Sequence, residues 1–140
     1  MCKIEDVIVF ILLAMCSVSD WKRKTIPVIL LVVLSVAVAI IALCCDGVSM
    51  RLRAGGAFLG LLFLFISKVT KEAIGYGDSW LILLLGIHKG YLCAIEVLFV
   101  ASLLAGIVSL FFLWKHHWKR TSTLPFVPFL NISYLGVMLL

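Results

Sequence analysis

Ala73-Ile74-Gly75-Tyr76-Gly77-Asp78-Ser79-Trp80-Leu81-Ile82-Leu83-Leu84-Leu85-Gly86-Ile87-His88 is the stretch on which the reading of this chain turns. Its second half is apolar and unbroken by charge. Its first half sets a carboxylate directly after two helix-breaking glycines. A full bilayer crossing takes about 17–25 helical residues, so the run is marginal as a span. It qualifies only when its helix starts near Gly75-Tyr76-Gly77-Asp78 or the bilayer is thin there. Counted as a span, it decides which groups share a membrane face.

The rest of the chain is apolar around it. Of 140 residues, 64% are hydrophobic and 14% charged, and the mean hydropathy is +1.24. A soluble domain of this size cannot hide that much apolar side chain. Six apolar segments stand out, at 4–19, 26–45, 54–70, 73–88, 90–114 and 124–140. They predict an all-α polytopic membrane protein, a bundle of about six transmembrane helices. No polar stretch is long enough to fold separately, so residues 1–140 read as a single membrane domain. The stretch from Val7 to Val18 has the length of a secretory signal. Strong positive charge follows it rather than precedes it, and no small-x-small site leads into Asp20, so it reads as a retained first span.

Loop charge sets the orientation. With six crossings, one face receives Lys22, Arg23, Lys24, Lys68, Lys71, Lys115, Lys119 and Arg120. The other receives Lys3, Arg51, Arg53 and Lys89. Positive loops stay cytoplasmic, so both termini are expected to face outward. The same arrangement brings Asp20 and Asp78 together at the cytoplasmic face, although the count made no use of either.

Each aspartate also has a plain structural reading. Asp78 would serve as an N-cap for the helix that follows. Asp20 would neutralise Lys22-Arg23-Lys24. The pair together points to chemistry. Hydrolysing a peptide without a metal or nucleophile needs one group to take a proton from water and another to give one to the carbonyl. Two close carboxylates resist double ionisation and share a proton, which suits them to both tasks. A substrate must lie extended beside them, and Gly75 and Gly77, without side chains and free to adopt unusual backbone angles, open a space for it.

Other ionisable groups compete less well. Glu5, Asp6 and Asp46 fall on the outer side, and Glu72 lies among Lys68 and Lys71. Glu96, inside the fifth apolar run, either faces a polar cavity or sits near the interface. The five cysteines, Cys2, Cys16, Cys44, Cys45 and Cys93, form no C-x-x-C pair, and no Cys/His cluster has metal-site spacing, so no metal or cofactor is expected. His116 and His117 read as part of a basic loop that meets anionic lipid headgroups. Trp21, Trp80, Trp114 and Trp118 fall at span ends, as interface anchors do. The net charge of +5 follows from topology, so no nucleic-acid partner is expected.

Three ordered motifs resemble the type IV prepilin peptidase family. Ser19-Asp20-Trp21-Lys22-Arg23-Lys24-Thr25-Ile26-Pro27 is similar to the family's first aspartate segment. Gly75-Tyr76-Gly77-Asp78 is similar to its G-x-G-D, and Leu124-Pro125-Phe126-Val127-Pro128-Phe129 to its late proline-phenylalanine segment. Presenilin-like proteases share G-x-G-D but resemble a Tyr-Asp first motif, where this chain has Ser19-Asp20. Val28 departs from the polar residue often found after Ile-Pro.

The resemblance implies an aspartyl protease that cuts the basic leader from prepilins or pseudopilins at the cytoplasmic membrane face. It maps the catalytic aspartates onto Asp20 and Asp78 and the active-site glycines onto Gly75 and Gly77. The chain looks like the short form. Longer members add a cytoplasmic domain with paired cysteines and an N-methyltransferase activity, which is not expected here. Pro125 and Pro128 either begin or kink the last helix or shape the floor of the site. The alternative function is a small proton-coupled transporter using the same aspartates as a relay. The particular substrate and the oligomeric state are not legible.

Overall fold

The computed structural model describes residues 4–23, 26–44, 47–71, 75–115 and 125–140. Among the residues singled out above, Cys2, Lys3, Lys24, Thr25, Cys45, Asp46, Glu72, Ala73, Ile74, His116, His117, Trp118, Lys119, Arg120 and Leu124 lie outside these ranges.

Six α-helices account for the described regular structure: α1 (Ile4–Arg23), α2 (Val28–Cys44), α3 (Met50–Val69), α4 (Tyr76–Lys89), α5 (Tyr91–Trp114) and α6 (Val127–Leu139). Each matches one apolar segment of the sequence. Their ends follow local chemistry. α1 carries Glu5 and Asp6 in its first turn and Lys22 and Arg23 in its last, each sign against the complementary end of the helix dipole. Ile26-Pro27 breaks the chain before α2, and the Pro27 carbonyl accepts the amides of Leu30 and Leu31. α3 stops at Thr70, followed by Lys71 in the left-handed region at φ 51°. Gly90 alone separates α4 from α5, at φ 88°, a conformation that side chains oppose. Pro128 sits in the first turn of α6, where a missing N–H costs nothing. The late prolines therefore begin the last helix rather than kink it.

In space the helices follow the order α1, α2, α4, α3, α5, α6 and back to α1, with α4 also touching α5. Leu13, Leu34, Leu81, Val97, Leu130 and Tyr134, from five of the helices, are buried together inside that ring. The sixth, α3, approaches α4 by backbone. A Cβ on Gly56 would fall 2.0 Å from the Gly86 carbonyl oxygen, so only glycine permits the contact.

The outside is apolar. Phe58, Leu61 and Phe65 on α3 and Leu103, Ile107, Leu110 and Phe111 on α5 are exposed. α3 and α5 are long and apolar enough to cross a membrane, and α2 and α6 are shorter apolar helices. α4 starts at Tyr76, inside Gly75-Tyr76-Gly77-Asp78, as its reading as a span required. Its 14 residues cover about 21 Å, less than a hydrocarbon core of about 30 Å.

Candidate active site

Asp20 lies in the last turn of α1 and is buried. Its Oδ2 accepts the backbone N–H of Val127 at 3.4 Å. Val127 is the first residue of α6, where amides have no partner within the helix and carry the positive end of its dipole. The late proline-phenylalanine segment thus reaches the first aspartate through a main-chain donor. Cys16, one turn earlier on α1, is buried above it.

Asp78 is the third residue of α4 and half-buried. It is not the N-cap: Gly75 holds that position, with φ −52° and ψ 130°. The Gly75 carbonyl receives both the amide of Ser79 at 3.1 Å and its hydroxyl at 3.3 Å, closing the first turn. No residue among those described hydrogen-bonds the Asp78 carboxylate. A Cβ on Gly75 would lie 3.0 Å from Asp78 Oδ2, so glycine there keeps the carboxylate clear. A Cβ on Gly77 would lie 2.8 Å from Ile26 Cδ1, so glycine there lets the Ile-Pro segment close onto α4. Neither glycine adopts a positive φ. The expectation of unusual backbone angles is corrected: both glycines act through missing bulk.

Asp20, in the last turn of α1, and Asp78, in the first turn of α4, are brought to one end of the ring, where Ile26, just past α1, packs against Gly77. No hydrogen bond joins the two carboxylates. α2, which packs on both α1 and α4, bridges the helices that carry them.

Several polar contacts escaped sequence reasoning. Trp80 was expected at the interface, yet its Nε1 donates to Ser35 Oγ at 3.1 Å, and Ser35 Oγ donates to the Leu31 carbonyl at 2.6 Å. The indole thereby pins α4 to α2 two residues beyond Asp78. Ser35 is the lone hydroxyl in the run 26–45, which was the available signal. Trp21 and Trp114 are exposed, as anchors are. Asp6, set aside as an outer-face carboxylate, is buried against His88 and Lys89. Glu96 is exposed on α5.

The sequence model of the type IV leader peptidase family matches residues 7–110. A prepilin leader peptidase/N-methyltransferase of Burkholderia pseudomallei (strain K96243) is 34% identical over 88 residues, 59% of this chain and 28% of that protein. A protein of the same description from Legionella pneumophila is 34% identical over 90 residues, 62% of this chain and 31% of that protein. Each match therefore spans less than a third of the relative's length. The family match includes Asp20, Gly75, Gly77 and Asp78 and stops before α6. No solved structure matches the chain significantly.

Proposed function

The chain belongs to the type IV leader peptidase family, and from that premise we propose that it is a membrane aspartyl endopeptidase that removes the basic leader from prepilins or pseudopilins at the cytoplasmic membrane face. The observation that carries this reading is that α1 ends with Asp20 and α4 begins with Asp78 at the same end of the ring.

All six helices are read as spans, with both termini outside and the more basic loops inside. The exposed apolar faces of α3 and α5 then meet acyl chains, and the basic loops meet anionic headgroups. The short α4 leaves Asp78 recessed from the cytoplasmic surface, within reach of water and of an extended peptide.

One water lies between the carboxylates, which share a single proton. One carboxylate takes a proton from the water as its oxygen attacks the scissile carbonyl carbon, and the other protonates the carbonyl oxygen. The tetrahedral intermediate collapses, the C–N bond breaks and the amine leaves with a proton. No acyl-enzyme forms. The pair titrates as a unit, so neither member is the fixed acid. The Val127 amide holds the Asp20 carboxylate in one orientation. A proton relay across the bilayer would want acidic groups near mid-depth, whereas both stand at helix ends.

The test is direct. The purified protein in lipid vesicles is incubated with co-encoded pilin-like proteins, and mass spectrometry reads the new N-terminus. Cleavage that disappears in both Asp20→Asn and Asp78→Asn supports the assignment; cleavage that survives either change overturns it.

A further inference from the structure

A second polar cluster lies at the other end of α1 and α4, and the proposed chemistry makes no use of it. Asp6, in the first turn of α1, engages His88 Nε2 at 3.0 Å and Lys89 Nζ at 2.7 Å, both through Oδ1. His88 and Lys89 are in the last turn of α4. Asp6 is 3% exposed and His88 5%, so the contact is made inside the bundle. His88 Nδ1 is buried and has no hydrogen-bond partner among the described residues, which leaves Asp6 as the ring's polar engagement there.

A buried ion cluster is poor value as a source of stability. The cost of desolvating the charges rivals their attraction, and apolar packing would serve as well. What such a cluster supplies is register. Its geometry accepts one alignment of the two helices and penalises others by stranding a buried charge.

The helices it joins are the two that carry Asp20 and Asp78. α1 packs side by side with α2 and α6, and α4 with α2, α3 and α5; α1 and α4 are not among the pairs packed along their lengths. Their alignment is therefore set at few points. Asp6 lies about 21 Å along α1 from Asp20, and His88 about 15 Å along α4 from Asp78. A swing of about 5° about the cluster moves the acidic end of α1 by about 2 Å. A misplacement of about 1 Å at reacting groups costs on the order of a hundredfold in rate.

We propose that Asp6, through His88 and Lys89, is a positioning residue that holds α1 against α4 and thereby sets the approach of Asp20 to Asp78. The inference rests on the peptidase reading above. Asp6 stands at the end of α1 opposite Asp20, so it acts through the two helices.

The experiment uses the full chain in vesicles with a cleavable prepilin. Asp6→Ala lowers kcat by about tenfold or more and leaves KM within about twofold, because the substrate surface is intact. Asp6→Glu, which keeps the charge, restores most of the rate. Glu96→Gln, at an exposed carboxylate outside the cluster, leaves the rate unchanged. Alongside, spin labels attached to a non-natural residue placed at Trp21 and at Tyr76 report the separation of the acidic ends of α1 and α4 by pulsed electron resonance. Asp6→Ala broadens or shifts that distance distribution. Should Asp6→Ala fail to accumulate, Asp6→Asn keeps the shape and gives the same two readouts. An unchanged distance distribution overturns the proposal, as does an unchanged kcat. A wild-type protein that cleaves no prepilin sinks the peptidase reading instead, and the distance measurement still decides whether Asp6 aligns the helices.

Discussion

The Asp20 carboxylate accepts the main-chain N–H of Val127, which ties the last turn of α1 to the first turn of α6. The contact explains how the final segment of the chain bears on an aspartate near its beginning. It also separates two things that a substitution at Asp20 removes.

Asp20→Asn keeps an oxygen for the Val127 amide and loses the proposed acid–base function. Its cleavage activity falls by at least about a thousandfold while its unfolding midpoint in detergent hardly moves. Asp20→Ala is equally inactive and is also less stable by about 1–2 kcal/mol, because the Val127 N–H is left without its acceptor. Prepilin cleavage and detergent unfolding, run on both variants, check the split.

Gly77→Ala is expected to lower activity without lowering stability. Alanine favours the helix by about 1 kcal/mol over glycine. Its Cβ, however, would stand 2.8 Å from Ile26 Cδ1 and push the Ile-Pro segment off α4. Ile26→Val removes that methyl, and the nearest remaining atoms lie at 3.4 Å. The double variant Gly77→Ala with Ile26→Val therefore recovers activity that the single variant loses. Rates of leader cleavage for the two single variants and the pair measure it.

The Trp80–Ser35 hydrogen bond predicts a coupled pair. Ser35→Ala strands a partly buried indole N–H and costs about 1–2 kcal/mol. Trp80→Phe removes the N–H along with packing. Changing both costs less than the sum of the two single changes, and a double-mutant cycle on unfolding free energies reads the difference.

Glycines on the same bundle are predicted to behave in opposite ways. Gly56→Ala drives a Cβ to 2.0 Å from a backbone oxygen of Gly86, which no rotamer relieves, and it costs more than about 4 kcal/mol or prevents accumulation. Gly106→Ala meets nothing within 4 Å on α5 and is neutral or stabilising by up to about 1 kcal/mol. Expression level and thermal unfolding of the two proteins distinguish them.

The six helices were legible because apolar runs and chain breakers alternate cleanly, with Ile26-Pro27 and Gly90 falling at the joints. Asp20 and Asp78 stood out for a related reason: a carboxylate at the end of an apolar run is conspicuous by its solvation cost. Contacts between distant residues were hidden. Asp6 and His88 are 82 positions apart, and their pairing depends on the register of two helices that no periodicity reports. The segment around Val127 was noticed for its motif, but its contact with Asp20 gave no sign, because the donor is a backbone N–H and any residue but proline supplies one. Trp80 was misread as an interface anchor because an indole at a helix end looks the same whether its N–H meets a headgroup or a partly buried serine. For Gly75 and Gly77 the residue type was informative and the reason was not: the structure uses their lack of bulk, which shows only when Ile26 and Asp78 are in place beside them.

The single residue between α4 and α5 has a mechanical consequence. With only Gly90 to link them, the two helices have no slack at that corner, so a tilt of α4 drags α5 along. Whatever shifts the turn that carries Asp78 therefore shifts a joined α4–α5 hairpin rather than a single helix.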